Sequence, residues 1–175
     1  MKEKHGNPIV QNIILVLVIA LSAALQYNAA GYMKFAGAMP NFMLVAVVVA
    51  GYALGSESGG FAGLCLGLYQ DAQNGKILGM YALFYLYMGV IAGFFPKKGS
   101  MGDFPTALIA VYVTTMLYEG AVYLFAYAIP ILRGGYAPGA GFMRAVGGVI
   151  VPAAFLNAFF GIPYYFILHR RSVTT

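Results

Sequence analysis

Apolar residues dominate this chain in six long stretches, which short polar or glycine-rich connections separate. A helix that crosses a bilayer needs about 20 mostly apolar residues, and four of the stretches have that length. The other two are shorter and, at about 1.5 Å of rise per residue, would only just cross. The pattern therefore predicts six transmembrane helices, at residues 9–29, 40–55, 58–73, 77–96, 104–130 and 143–168.

The two shorter stretches are neighbours in the chain and are joined by Ser56-Glu57-Ser58. Because so short a connection allows little more than a reversal of direction, we predict a tight helical hairpin there. A re-entrant pair that does not cross the bilayer completely is the alternative. No polar stretch is long enough to fold separately, so the predicted fold class is all-α, with residues 1–175 forming a single polytopic membrane domain.

The composition also indicates a membrane protein. Hydrophobic residues make up 61% of the chain and charged residues 9%, and the mean hydropathy is +0.79. Soluble domains, in contrast, carry about 25% charged residues. The net charge of +5 does not point to nucleic acid, because the basic residues stand at the ends of the apolar stretches rather than along one face. We therefore expect the lipid bilayer, and no nucleic acid, as the surroundings of this chain.

The positions of lysine and arginine predict the orientation, because these residues are enriched in cytoplasmic loops. With the N-terminus inside, the inner side carries Lys2, Lys4, Lys97, Lys98, Arg170 and Arg171. The outer side then carries Lys34, Lys76, Arg133 and Arg144. This distribution predicts that both termini are cytoplasmic.

Glycine recurs at intervals of four residues through the middle of the chain, and a single acid interrupts the series. The glycines are Gly51, Gly55, Gly59, Gly63, Gly67, Gly75 and Gly79, and Asp71 stands at the vacant position. Small residues at this spacing let helix backbones approach closely in lipid, where there is no hydrophobic force between helices. The series has two interpretations: ordinary packing within the bundle, or a surface on which a helix of another protein docks.

Asp71 and Glu119 are the only acids within the predicted spans, and both fall in the outer half of the membrane. Ionisable groups at such positions are costly and usually face the bundle interior or a wet cavity. We expect a buried ion pair or a pocket formed by Asp71, Glu119 and Arg144. Lys76, Gln26 and Asn157 are further candidate partners. Alternatively, Asp71 reaches the outer surface, since it is close to the end of its span.

The sequence offers no residues for catalysis. His5 and His169 lie at opposite ends of the chain, and no second ligand stands near either at metal-binding spacing. The segment 55–59 has Glu57 at the centre, where a nucleophile elbow requires serine. Cys65 is the single cysteine and lies in an apolar run. We therefore predict a protein that is not an enzyme, with no catalytic residue, no metal and no cofactor.

The segment from residue 40 to residue 95 resembles a known family. Its motif elements, in order, are Pro40-Asn41, Gly59-Gly60-Phe61, Gly63-Leu64, Asp71 and Leu78-Gly79. In order and spacing they resemble MreD, the rod shape-determining membrane protein family of bacteria. The glycines are denser here than in the family pattern, and outside this segment only the length and the layout of spans are similar.

The resemblance implies a non-enzymatic scaffold of the cell-elongation (peptidoglycan synthesis) machinery in the bacterial cytoplasmic membrane. It implies an MreC-like protein with one transmembrane helix as the partner. RodA and a class B penicillin-binding protein belong to the same complex, and MreB filaments are linked to it indirectly. The residues expected to serve packing or partner binding are Pro40, Asn41, Gly59, Phe61, Gly63, Leu64, Gly67, Asp71 and Gly79.

The fold of that family is likened to the S-components of energy-coupling-factor transporters, which are six-helix proteins that bind vitamins. This comparison supplies the alternative function: a subunit that binds a small nutrient in an outer pocket lined by Asp71, Glu119 and Arg144.

Overall fold

The computed structural model describes residues 8–28, 30–34, 37–74, 78–95, 103–132 and 142–173, and the elements that these residues form are helices. The all-α prediction is therefore confirmed. The helices are α1 (Pro8–Asn28), α2 (Phe42–Leu54), α3 (Ser56–Asn74), α4 (Met80–Gly93), α5 (Asp103–Leu132), α6 (Phe142–Ala145) and α7 (Val151–Val173). A 3-10 turn at Ala30–Tyr32 follows α1, and the π-helical segment Val146–Ile150 joins α6 to α7 without a break.

The connection between α2 and α3 is shorter than predicted. The helices are separated by Gly55 alone, and Ser56-Glu57-Ser58 forms the first turn of α3. Gly55 has a φ of 103°, a conformation that costs glycine little because it has no Cβ. Its N–H also donates to the carbonyl of Gly51 at 2.9 Å. A single residue therefore reverses the chain.

Helix α4 is also shorter than the predicted span 77–96. It starts after Gly79, whose φ of 94° is left-handed, and it ends at Gly93. Some of the residues to which the sequence analysis gave a role lie outside the described ranges: Lys2, Lys4, Gly75, Lys76, Lys97, Lys98 and Arg133.

Two helices of the described chain are long and apolar enough to cross a bilayer, at Phe104–Ile129 and Met143–Leu168. Shorter apolar helices run over Asn12–Asn28, Phe42–Leu54 and Met80–Gly93. At about 1.5 Å per residue, the shortest of them covers only about 20 Å. The two long helices are compatible with a transmembrane protein, whereas six spans remain a proposal.

Helix α2 is the centre of the bundle. Every residue from Phe42 to Ala53 is buried, and α1, α3, α4, α5 and α7 all pack against it. Its sequence is apolar on all sides, as expected of a helix that meets protein in every direction. The core of the molecule therefore surrounds one short helix, and the ends of that helix fix the positions of the other elements.

Candidate functional site

The glycines of α3 lie directly against α4, which runs antiparallel to it. A Cβ added to Gly63 would come within 3.0 Å of the backbone of Tyr85, and one added to Gly67 would meet the backbone of Ala82 equally closely. Real side chains do not tolerate such approaches. The two backbones are therefore in direct contact along this edge of the helix pair.

Three helices meet at one glycine contact. Cβ atoms added to Gly59 or to Gly89 would each meet the other's backbone, and one on Gly51 would meet the carbonyl of Gly89. One turn further, a Cβ on Gly93 would meet the backbone of Ser56. Gly89 and Gly93 thus form the α4 side of this interface. Neither residue belongs to the predicted glycine series, although their four-residue spacing was a usable signal in the sequence.

Of the two interpretations of the glycine series, the structure shows packing within the bundle. The face of α3 that carries Gly59, Gly63 and Gly67 is filled by α4 and by α2, so it is not open to a helix of another protein. Phe61 and Leu64 lie on the other side of α3, where they are 58% and 39% exposed. The residues that the resemblance grouped together therefore separate into a packing set and an exposed set.

Asp71 caps the start of α4 from the neighbouring helix α3. Its side chain is buried, and its carboxylate accepts hydrogen bonds from the backbone N–H groups of Gly79, Tyr81 and Ala82, each at 3.0 Å. The first N–H groups of a helix have no partner within the helix, and a negative charge there interacts favourably with the helix dipole. Asp71 thus holds the α3–α4 pair together at its polar end.

Among the described residues, no ion pair joins Asp71, Glu119 and Arg144, which were expected to form an ion pair or a pocket. The acceptors of Asp71 are used by backbone N–H groups, and Arg144 is exposed. Asp71 also does not reach the outer surface, because it is only 3% exposed. Asp71 binds backbone N–H groups rather than a basic side chain, because the start of α4 offers several donors at once.

Asn41 organises a second polar contact, at the start of α2. Its side-chain oxygen accepts from the N–H of Leu44 at 3.0 Å, which is a helix N-cap. The same oxygen accepts from the hydroxyl of Tyr85 in α4 at 3.0 Å. Its backbone N–H donates to the side-chain oxygen of Asn157 in α7 at 2.7 Å. One residue thus connects three helices.

Residues from α1 and α5 extend this contact. The side-chain oxygen of Gln26 accepts from the N–H of Phe42 at 2.8 Å, and its amide lies 3.5 Å from the carbonyl of Pro40, which is itself buried. The amide of Asn157 donates to the hydroxyl of Thr115 at 3.3 Å. We call this set, Gln26, Asn41, Tyr85, Thr115 and Asn157, the Asn41 network.

Glu119 differs from the other polar groups of the core. It is half-buried in α5, one turn after Thr115, and its carboxylate forms no hydrogen bond or ion pair with another described residue. Tyr118 precedes it in the chain and packs against Tyr85 in the core, with ring centroids 5.2 Å apart. It is therefore the one acid of the predicted spans whose charge the described residues leave unbalanced.

The arrangement as a whole holds helix ends in place. In the part of the chain that the structure describes, no three His, Cys, Asp or Glu side chains come together as metal ligands. The polar side chains of the Asn41 network and Asp71 are occupied by one another and by backbone groups. No protein-family model, no curated protein and no solved structure matches this chain.

Proposed function

We propose that this chain is a non-enzymatic membrane scaffold of the bacterial cell-elongation machinery, similar to the MreD family. Its direct partner is an MreC-like protein with one transmembrane helix. RodA and a class B penicillin-binding protein belong to the same assembly, and MreB filaments are linked to it from the cytoplasm. The proposal rests first on the residues between 40 and 95 that resemble the family.

One observation supports a scaffold in particular. The two polar residues of the motif, Asn41 and Asp71, cap the ends of α2 and α4, and the glycines between them bring α3 against α4. The motif therefore serves to fix a rigid group of three helices. A rigid group of this kind suits a protein that presents a surface to a partner.

In this proposal all six helical segments cross the membrane, with both termini in the cytoplasm. The shortness of α2 does not prevent this arrangement, because its residues are buried by other helices rather than exposed to lipid. Backbone at membrane depth is tolerated where protein surrounds it. Only the helices at the periphery of the bundle, which contact lipid in this proposal, therefore need apolar stretches as long as the bilayer is thick.

The partner docks, in this proposal, on the exposed side of α3. Phe61, Leu64 and Leu68 lie there at the i, i+3, i+7 spacing of one helix face and are 58%, 39% and 47% exposed. This surface lies opposite the glycine contact with α4, so the packing of the hairpin orients it. Apolar side chains at this spacing are the usual anchors between two helices.

Co-purification from mild detergent tests the proposal. The chain is co-expressed with the MreC-like protein of the same genome, as wild type and with Phe61→Ala and Leu68→Ala combined. We expect the partner to be recovered with the wild type and recovery to fall about tenfold with the variant, because large apolar anchors dominate such contacts.

The matched control combines Phe155→Ala and Phe159→Ala. These residues are 64% and 65% exposed on α7, so the control removes a similar apolar area elsewhere. Equal recovery of the partner with both variants would contradict docking on α3. Absence of the partner with the wild-type chain would contradict the scaffold proposal itself.

The nutrient-binding alternative now depends on fewer residues. Of the three that were expected to line an outer pocket, Asp71 is engaged by backbone N–H groups and Arg144 is exposed. The unpartnered carboxylate of Glu119 is the observation that still favours a ligand. A rise in the unfolding temperature with a vitamin at micromolar concentration would support this alternative, because ligands that bind the native state raise its stability.

A further inference from the structure

The end of the bundle that faces outward in the proposed topology carries basic residues without acids. Helix α6 and the connections at this end, between α1 and α2, between α3 and α4 and between α5 and α6, contain no Asp or Glu in the sequence. Their basic residues are Lys34, Lys76, Arg133 and Arg144. At the opposite end, in contrast, Glu57 and Asp103 stand in the first turns of α3 and α5. The outward end therefore has a positive charge that no acid of the neighbouring connections balances.

The structure describes Lys34 and Arg144, and it brings their two segments together. Gly37 lies against the π-helical segment, since a Cβ added to it would be 3.8 Å from the carbonyl oxygen of Gly148. Lys34 stands three residues before Gly37, and Arg144 stands about one helical turn before Gly148. Both basic side chains are exposed. The two cations thus belong to one surface of the bundle.

Exposed apolar side chains accompany both cations. Tyr32 is 92% exposed two residues before Lys34, and Met143 is 82% exposed directly before Arg144. Tyrosine is enriched at the interface between membrane and water, and basic residues next to apolar ones are typical of protein surfaces that lie in the headgroup region. We call this set, Tyr32, Lys34, Met143 and Arg144, the basic end surface.

The two acids of the predicted spans do not occupy this surface. Asp71 is buried, and its carboxylate accepts from three backbone N–H groups at the start of α4. Glu119 stands more than three turns before the end of α5 at Leu132, which is about 20 Å along the helix. The cations of the basic end surface are therefore available to an anion from outside the chain.

An anionic phospholipid meets both features of the basic end surface. Its phosphate oxygens accept charge-assisted hydrogen bonds from lysine and arginine, and anionic headgroups attract basic residues at the ends of membrane helices. Its glycerol and upper acyl region receives side chains such as Tyr32 and Met143. A free phosphate ion would pair with the cations only and would leave these two side chains in water.

We propose that the basic end surface binds anionic phospholipid headgroups of the leaflet that it faces. Lys34 and Arg144 pair with the phosphates, and Tyr32 and Met143 enter the lipid below them. The inference rests on the membrane placement of the proposed function, but not on the MreC-like partner, because the exposed face of α3 is a different surface.

Fluorescence quenching by brominated lipids tests this surface at a known position. The chain contains no tryptophan, so Tyr32→Trp introduces a single reporter at an exposed residue of the surface. The full-length chain is reconstituted into phosphatidylcholine bilayers that contain phosphatidylglycerol, with one lipid or the other brominated in its acyl chains. We expect phosphatidylglycerol to quench this tryptophan several-fold more effectively than phosphatidylcholine does at equal mole fraction.

A second reporter provides the positional control. Leu117→Trp places the single tryptophan in the middle of α5, at a residue that is 49% exposed, and the two brominated lipids should quench it equally. The same preference for phosphatidylglycerol at both reporters would overturn a local surface. Absence of quenching of Leu117→Trp by either lipid would contradict the membrane placement itself.

Charge variants in the Tyr32→Trp background identify the residues responsible. Lys34→Gln combined with Arg144→Gln should abolish the preference for phosphatidylglycerol, since each basic residue near the surface contributes to the attraction. Lys34→Arg combined with Arg144→Lys keeps both charges and should retain it. If the glutamine pair keeps the preference, or if the charge-keeping pair loses it, the proposal is wrong.

Salt provides a measurement that does not depend on any change to the cations. Potassium chloride should weaken the preference in the Tyr32→Trp chain, because exposed charges are screened. Sodium phosphate at equal ionic strength should weaken it to the same extent. A stronger effect of phosphate would mean that the surface binds the free ion rather than the lipid.

Co-purification separates this inference from the scaffold proposal. The glutamine pair should recover the MreC-like partner as the wild type does. Loss of the preference for phosphatidylglycerol with normal recovery of the partner would contradict only the lipid surface, whereas failure to recover the partner with the wild type would contradict only the scaffold.

Discussion

At the scale of single residues, buried polar side chains obtain hydrogen-bond partners in two different ways. Asp71 and Asn41 are each satisfied by the backbone at the start of a helix, one across a helix pair and one locally. Glu119 has neither arrangement. The two capping residues stabilise the fold, because their removal would leave buried N–H groups without an acceptor.

The capping role of Asp71 leads to a prediction about stability. Asp71→Ala removes the acceptor of three backbone N–H groups. We expect a loss of about 3 kcal/mol in the free energy of unfolding, since buried donors without partners are costly. Asp71→Asn keeps one acceptor oxygen and should lose less.

Unfolding of the purified chain in mixed detergent micelles measures this effect, with the exposed Glu57→Ala as the control. If Asp71→Ala is as stable as Glu57→Ala, the hydrogen bonds of Asp71 do not stabilise α4. If Asp71→Asn is as unstable as Asp71→Ala, a single acceptor is not enough and the charge is what matters.

At the scale of elements, the hairpin of α3 and α4 depends on the absence of side chains along one line. The glycines of α3 meet the backbone of α4 with no room for a methyl group at Gly63. Other glycines do not have this role, since Gly120 in α5 has open space where a Cβ would lie. Replacement of a glycine should therefore affect the stability of α3 and of α5 in opposite directions.

This contrast predicts opposite effects of one substitution. Gly63→Ala should destabilise the chain by about 1–3 kcal/mol, because overpacked positions force backbones apart. Gly120→Ala should be neutral or stabilising by up to about 1 kcal/mol, because alanine favours a helix more than glycine does. The two variants are compared by the concentration of denaturing detergent at which half of the molecules are unfolded. Equal midpoints would mean that α3 and α4 are not in backbone contact.

At the scale of the whole molecule, the short central helix and the two long helices imply different relations to the bilayer. The long apolar stretches of α5 and of the α6–α7 run carry 26 residues each, while α2 has 13. If all six segments cross, the long helices extend beyond the ends of α2. The orientation that the lysines and arginines favour places Lys34 outside and Lys4 inside.

Cysteine labelling tests this orientation. Cys65 is the only cysteine, so Cys65→Ala provides an unlabelled background. In that background we expect Lys34→Cys to react with a membrane-impermeant maleimide in intact cells, because Lys34 is exposed. Lys4→Cys should react only after the cells are opened. The reverse pattern would invert the topology, and labelling of both in intact cells would mean that residues 9–29 do not cross the bilayer.

The sequence by itself determined the helices, because each apolar stretch is a local property of consecutive residues. It also indicated that α3 packs closely through its glycines, since their four-residue spacing is visible in consecutive residues. The sequence did not predict the one-residue turn at Gly55. The polar residues Ser56-Glu57-Ser58 indicated the connection, whereas the positive φ of Gly55 reverses the chain by itself and leaves them in the first turn of α3.

Only the tertiary structure decided which groups meet. Asn41 is separated from Tyr85 by 44 residues and from Asn157 by 116, and no local pattern pairs residues so far apart. The same holds for the two acids, which looked equivalent in the sequence. Packing of α3 on α4 brought Asp71 to a helix terminus with free N–H groups, whereas Glu119 on α5 is half-buried and caps no described helix. The packing of whole helices brings such distant partners together, and this is why the hydrogen bonds of Asp71 to the start of α4 could not be predicted from the sequence.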